Sequence, residues 1–391
     1  MRKARQVATC LALPALALGV AACGGDDDES ASSGGSGSKQ AVANCTAQIG
    51  VMAPITGQVA QIGGEQMNFA KLAVEQDNAK NNTKITVVEG DTQLQPAQAT
   101  TVARQFISND KIVAIVGPAG SQEVSAIGSQ ITRAKLAAVA GSATATDLTE
   151  KGQFPTFFRV VPRDDVQGPQ DAQYIVDNLK PKAVMLVDDQ TSYSTGLADA
   201  IAPVLEQAGI KVDRESVSQK QTDFSSLVSK VTPDTGVVVL PWQVAANAQQ
   251  FGENLSEQNK QAIIFGTDGL YSPDQFKIAG SYVSSFAPDI TGVPGDEEIV
   301  KIATDKFGSF GTFGPGTYAA THVVNEAIAA VCKAGEEPSR ENVLEQIKNT
   351  NLPESILGQP IKFDEKGDLI GAKFFLFKVG EDGKYELVPN S

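Results

Sequence analysis

The sequence predicts an α/β protein of two lobes, each a mostly parallel sheet flanked by helices. Three observations point to it. Short apolar runs alternate with helical stretches from Thr46 to Asp268. The runs are apolar almost without interruption, as in strands covered on both faces. The alternation occurs twice, and a helical segment follows it whose natural place is back on the first unit. A chain of 391 residues has room for two or three domains of roughly 150 residues.

The amino terminus precedes the fold. Arg2, Lys3 and Arg5 lead into an apolar stretch from Val7 to Ala22, broken by Pro14. That is a secretory signal over residues 1–22, too short for a membrane span. Small residues ahead of Cys23 resemble the lipobox of bacterial lipoproteins. The resemblance implies cleavage before Cys23 and acylation of its thiol; an ordinary signal with an incidental Cys23 is the alternative. Gly24 to Gln40 is rich in Gly, Ser and acids and cannot bury a core. Residues 23–44 therefore read as a tether between a lipid anchor and a soluble body.

The first unit opens with a strand at Ile49–Ile55. A helix over 64–80 places Met67, Ala70, Ala73 and Val74 on one face. Ile85–Asp91 is the next strand, and Pro96 opens a helix carrying Ala99, Val102, Ala103 and Phe106. Ile112–Gly117, a helix from Gln122 and Leu136–Gly141 complete a βαβαβαβ unit with right-handed crossovers. The second unit repeats the grammar. Its strands are Phe157–Val161, Ala183–Asp189, a run beginning at Lys211, Val237–Trp242 and Ile263–Asp268. Helices at Gln167–Leu179, Gly196–Gly209, Phe224–Val231 and Gln249–Leu255 lie between them. After a strand at Tyr282 come helices over Glu297–Phe307, Thr317–Ala334 and Arg340–Lys348. The final stretch reads as a strand, a tight turn at Glu365–Asp368 and a second strand.

The composition excludes several activities. A formal net charge of −14 argues against nucleic-acid binding. His322 is the only histidine, so no multi-His metal site is available, and its helical setting makes it a structural residue. Walker A, GxSxG, HExxH, CxxC and GxGxxG sequences are missing. Two cysteines stay with the mature fold in a chain bound for an oxidising exterior. Cys45 and Cys332 suggest one disulfide, with two separate buried thiols as the alternative.

Ligands of open parallel sheets sit beyond the carboxyl ends of the strands, so the strand-to-helix loops are the candidates. In Gly117–Ser125, Ser121 stands at the expected N-cap of the next helix, where N–H groups and the helix dipole favour an anion. In Gly141–Asp147, Ser142 and Thr144 offer hydroxyls. Together the two loops suit a carboxylate, although a capping role alone also accounts for Ser121. Asp268 ends a strand of the second unit and suits an ammonium group, or caps that strand. Tyr193 and Trp242 are expected at two other strand ends, as ligand covers or as packing.

On these residues the chain resembles bacterial type I periplasmic-binding proteins of the branched-chain amino-acid (leucine-binding protein) kind, the substrate-binding proteins of ABC importers. The stretches that carry the resemblance are Ile49–Gly64, Val116–Ser121, Gly141–Thr149, Gln167–Ile175, Asp188–Ala198 and Phe363–Gly371. The resemblance implies a hinge of crossing strands, with one lobe over 45–162 plus 290–362 and the other over 163–289 plus 363–391. By that resemblance Ser121 and Thr144 bind a ligand carboxylate with backbone help from Ser142 and Ala143. Asp268 takes the α-ammonium, and Tyr193 meets the ligand on closure. Ile62, Gln243 and Phe313, beside Trp242, fall where the family holds the ligand side chain. Ile62 and Gln243 stand where the leucine-type pattern has aromatic residues. The ligand is thus expected to be a branched-chain or related amino acid, with amides, urea and aromatic acids as alternatives. The implied protein is a lipid-anchored, extracytoplasmic, monomeric binder serving an ABC permease, with no cofactor and no catalysis. A receptor's sensing clamshell and a hydrolase using Ser121 are the other readings.

Overall fold

The computed structural model describes residues 41, 42 and 44–389; the signal segment, Cys23 and the tether to Gln40 lie outside the described residues. The apolar runs pair into two separate sheets. In the first, β1 (Cys45–Ala53) lies between β2 (Thr83–Asp91) and β3 (Ile112–Val116), followed by β4 (Ala137–Ala140) and β5 (Phe157–Arg159). All four neighbouring pairs are parallel. The crossovers are α1 (Ala60–Asn81), α2 (Pro96–Ser108), α3 (Ser121–Arg133) and the short α4 (Asp147–Glu150). Pro96 sits in the first turn of α2, where its missing N–H costs nothing, and Ala99, Val102, Ala103 and Phe106 face the sheet.

The second sheet follows α5 (Asp164–Tyr174). β6 (Ala183–Asp188) lies between β7 (Lys211–Ser216) and β8 (Thr235–Leu240), and β8 leads to β9 (Ile263–Gly266) and β10 (Tyr282–Ser285). These strands run parallel, joined through α6 (Ser192–Gln207), α7 (Ser225–Ser229) and α8 (Ala245–Glu257). The chain then returns. The helices α9 (Glu297–Phe307), α10 (Phe313–Lys333) and α11 (Arg340–Lys348) pack on the first sheet and its helices, α10 along α1. A two-stranded pair follows, β11 (Asn351–Leu352) with β12 (Ile361–Lys362). The chain crosses once more to add β13 (Phe375–Val379) and β14 (Tyr385–Leu387) antiparallel at the edge of the second sheet. Two sheets with three crossings between them agree with the two-lobed fold class. Among the described residues no helix is long and apolar enough to cross a membrane.

Four expectations are corrected. The strand expected to open the second unit, at Phe157–Val161, is instead β5, which pairs with β4 at the edge of the first sheet. The stretch after Gly358 is not one hairpin: Phe363 and Leu369 share a single bridge, while β12 pairs with β11 and β13 with β10. The chain is changing sheets there, so its two halves find different partners. Gly120, not Ser121, is the N-cap of α3; Ser121 is the first helical residue, and Glu123 reaches back to accept the Gly120 N–H at 2.8 Å. α6 begins at Ser192, so Tyr193 lies in a helix's first turn and not on a strand end.

Two contacts tie the first sheet to the returning helices. Gly141, at the end of β4, and Gly316, in α10, meet face to face: a Cβ on Gly141 would stand 2.5 Å from the Gly316 carbonyl carbon. Only glycine at both positions lets the loop after β4 press on α10. Cys45 and Cys332 form a disulfide, Cα atoms 5.8 Å apart, that ties the start of β1 to the end of α10.

Candidate functional site

The carboxyl ends of β1, β3 and β4 face those of β8 and β9 across one small cavity. Ile62, Ser142, Gln243, Asp268 and Phe313 line it with Pro54, Val59, Leu94, Ala119 and Gly269. Its water-accessible space is only ≈ 20 Å³. A larger, open pocket of ≈ 280 Å³ adjoins it and shares Ile62 and Phe313. Side-chain hydrogen bonds join the two sides: Gln122 Nε2 donates to Gln243 Oε1 at 2.9 Å, Gln61 Nε2 to Gln275 Oε1 at 3.0 Å, and Ser309 Oγ to Asp274 Oδ2 at 3.4 Å.

The wall on the first sheet is a tightly bonded loop. The Ser142 hydroxyl donates to the Ala119 carbonyl at 2.9 Å and accepts from Gln66 Nε2 at 3.1 Å. Ser121 Oγ accepts the Ala145 N–H at 3.1 Å, which leaves its own proton to give. Ala143 and Thr144 are fully buried, and their N–H groups donate to no other described residue. Arg159, wholly buried on β5, secures the loop from behind. Its guanidinium donates to the carbonyls of Ala143 at 3.2 Å and Ala145 at 2.8 Å, to Thr149, and to Asp368 at 2.6 Å. Buried donors without acceptors beside a free hydroxyl make an anion-binding surface.

The opposite wall carries the negative charge. Asp268 Oδ1 accepts from the Tyr193 hydroxyl at 2.7 Å. That hydroxyl has one proton, so given to Asp268 it must accept from Thr267 at 2.7 Å and from the Gly269 N–H at 3.1 Å. Burial raises the Asp268 carboxyl to about 6, with hydrogen bonds from Tyr193 and Gln167 acting against the rise. Two further buried acids stand beside it. Asp171 Oδ2 accepts from Ser284 at 2.8 Å, and burial raises its pKa well above the ordinary value. Asp164, at the start of α5, is raised to about 8 by burial first and by the charge of Asp268 second. Gln167 lies among these acids and donates to Ser284 at 2.8 Å.

Of the residues singled out in the sequence, Ile62, Ser142, Gln243, Asp268 and Phe313 gather on the cavity itself. Ser121, Ala143, Thr144 and Tyr193 stand directly behind them. Trp242 does not join them. It is 2% exposed, donates its indole N–H to the Val187 carbonyl at 2.8 Å, and packs between Phe224 and Phe251 with centroids 5.1 and 5.9 Å away. The aromatic core beneath the second sheet claims the ring, so Trp242 is a packing residue. His322 does not line the cavity either: its Nδ1 lies 2.8 Å from Asp77, so it is no base for Ser121. Sequence reasoning missed Asp164, Gln167, Gln66 and Gln122. The acid pair Asp164–Asp165 just ahead of a helical pattern was the available signal for the first of these.

The family model described as periplasmic binding protein matches residues 46–384. A Leu/Ile/Val-binding protein homolog of Brucella melitensis is 30% identical over 87% of this chain and 92% of its own length. Among solved structures, a leucine binding protein of Thermotoga maritima superposes with a TM-score of 0.80 at 21% identity, covering 88% of this chain and 97% of that one. A solute binding protein of Rhodopseudomonas palustris in complex with 3,4-dihydroxybenzoic acid superposes at 0.76 with 19% identity, over 88% and 96%. These structural likenesses concern the fold; that same fold accepts chemically different ligands.

Proposed function

Because the chain belongs to the periplasmic binding protein family, we propose that it is the extracytoplasmic solute-binding component of an ABC importer that closes on an amino acid. One observation carries the amino-acid reading: Ser142, with the free donors of Ser121 and Ala143–Thr144 directly behind it, lines the same crevice as a carboxylate, Asp268. A zwitterion matches both walls. Its carboxylate would take the N–H groups of Ala143 and Thr144 and the Ser121 proton, and its ammonium would take Asp268. The side chain would lie against Ile62, Phe313 and Gln243. Neither a neutral amide nor an aromatic acid supplies the cation that Asp268 calls for.

Closure follows from the same arrangement. Each wall belongs to a different sheet, so the joined site exists only when the lobes meet, and a ligand shifts the population by its differential affinity. The lobes comprise residues 45–162 plus 290–362 and 163–289 plus 363–391. The binder works as a monomer, tethered by lipid on Cys23 beside its permease, and catalyses no reaction.

Calorimetry of the mature protein against the twenty amino acids, urea, short amides and aromatic acids tests the reading. Saturable one-to-one binding of an amino acid supports it, and binding confined to a neutral amide or an aromatic acid overturns it. A Cys23→Ser variant released from membranes supports the anchor.

A further inference from the structure

The ammonium site described above uses one carboxylate, yet a second is buried beside it with no assigned work. Asp164 is 1% exposed, and neither of its carboxyl oxygens makes a well-formed hydrogen bond. A buried polar group left in that condition costs free energy unless something donates to it. The cation that would answer it is committed elsewhere: Arg159 gives its donors to Asp368, Thr149 and the carbonyls of Ala143 and Ala145. Arg163 bonds Asp165 and Asp368. The Thr144 hydroxyl alone is near enough to donate to Asp164, and the buried Gln167 Oε1 beside it has no donor.

The surroundings of Asp164 come from four places in the fold. The loop after β4 supplies Thr144, whose carbonyl accepts the Asp164 N–H at 3.0 Å. The strand β5 and the turn after it supply Arg159 and Arg163. α5 itself supplies Asp165, Gln167 and Asp171. The second sheet's side supplies Asp268, whose charge is felt at Asp164 and Asp171, and Tyr193, whose hydroxyl the charges of Asp268 and Asp164 reach. Asp164 thus stands between the loop proposed for the ligand carboxylate and the acid proposed for the ligand ammonium. Three buried acids gather here, and what the group lacks is a cationic donor.

We propose that Asp164 is the second carboxylate of the amine subsite, so that a cationic nitrogen is held by Asp164 and Asp268 together and a proton leaves Asp164 as the ligand enters. This rests on the amino-acid reading and deepens it: the crevice selects for a protonated amine with at least two N–H groups to give. The balance is simple. The Asp164 O–H bond breaks and its proton passes to the solvent buffer. The ammonium keeps its own protons and donates a hydrogen bond to the new carboxylate. The driving force is the loss of repulsion, because an ammonium cancels the Asp268 charge that helps keep Asp164 protonated. With that carboxyl near 8 in the free protein, roughly nine in ten molecules carry the proton at pH 7.

The test is titration calorimetry of the mature protein with L-leucine, L-isoleucine, L-valine and L-alanine at pH 7, in phosphate and in Tris, whose ionisation enthalpies differ. Repeating it from pH 6 to 8 gives the slope of affinity against pH. The expected result is release of between about 0.5 and 1 proton per ligand, and an affinity that rises up to about tenfold per pH unit. Asp164→Asn keeps the shape, loses the proton release and flattens the slope. Binding with no proton release in the unaltered protein overturns the proposal and leaves the amino-acid reading standing, and this measurement needs no variant. Undiminished release in Asp164→Asn also overturns it. No heat with any amino acid overturns the amino-acid reading and the proposal with it.

Discussion

The Tyr193 hydroxyl lies 2.7 Å from Asp268 Oδ1, and both residues are buried. The tyrosine orients the carboxylate while the Thr267 hydroxyl and the Gly269 N–H hold the tyrosine. Removing the hydroxyl in Tyr193→Phe deletes a bond to a charged group, worth about 1.5–3 kcal/mol. Amino-acid affinity, read by calorimetry, is expected to fall roughly tenfold to a hundredfold. Asp268→Ala should cost more, because the ammonium then enters a buried site without its acid. Unchanged affinity in Asp268→Ala would remove the ammonium assignment.

Arg159 and Asp368 join β5 to the segment where the chain crosses to the second sheet, at 2.6 Å. Burial would raise the Asp368 carboxyl, but Arg159, with Thr149 and Arg163, outweighs it and holds the group below the ordinary value. The stabilisation it brings is therefore present above about pH 4 and is lost as pH falls through the lowered value. Asp368→Ala leaves the Arg159 charge buried and unpaired, which costs about 3–5 kcal/mol. Denaturant unfolding should show that loss.

Glu123, Asp164, Asp171 and Asp268 move the other way. Burial raises Glu123 to about 7, Asp164 to about 8, Asp268 to about 6, and Asp171 well above its ordinary value. In the unfolded chain such carboxyls titrate near 4, so above that pH the folded state holds an extra proton on each group until its own raised value is passed. Stability then falls as pH rises, by about 1.4 kcal/mol per pH unit for each group while its two states differ. Without ligand, the melting temperature is expected to be higher at pH 5 than at pH 8. A melting temperature that rises over that interval would contradict the burial of these acids.

Trp242 is the only tryptophan, and its ring lies in the aromatic core of the second lobe. Its emission should be blue-shifted and should change little when ligand binds, since its indole N–H bond to Val187 does not involve the crevice. A large spectral shift on amino-acid binding would place the ring nearer the ligand than its packing indicates.

The Cys45–Cys332 disulfide spans 287 residues of sequence. A closure that long restricts the unfolded chain strongly, and removing it is expected to cost about 2–5 kcal/mol. Peptide mass mapping without reductant should recover the joined pair, and reductant should lower the unfolding midpoint.

What the sequence determined by itself was local and periodic. Apolar runs at β1, β3, β6 and β8 mark strands covered on both faces, and their alternation with helices sets the parallel order. Pro96 places the start of α2 for a reason internal to one turn of helix. Ser142, Asp268, Ile62 and Phe313 were legible because ligand loops follow strand ends and because the family pattern repeats there. Tertiary structure alone decided the rest. The indole of Trp242 was claimed by Phe224 and Phe251, which no spacing reveals. The segment around Asp368 broke into two partnerships because the chain changes sheets there and Arg159 needs a counter-ion. Asp164 looked like an ordinary acid ahead of a helix. Its burial beside Asp268, with only the Thr144 hydroxyl near enough to donate, exists only once α5, α6 and the ends of β4 and β9 converge, since a carboxyl's charge state depends on which groups surround it in space and not on its neighbours along the chain.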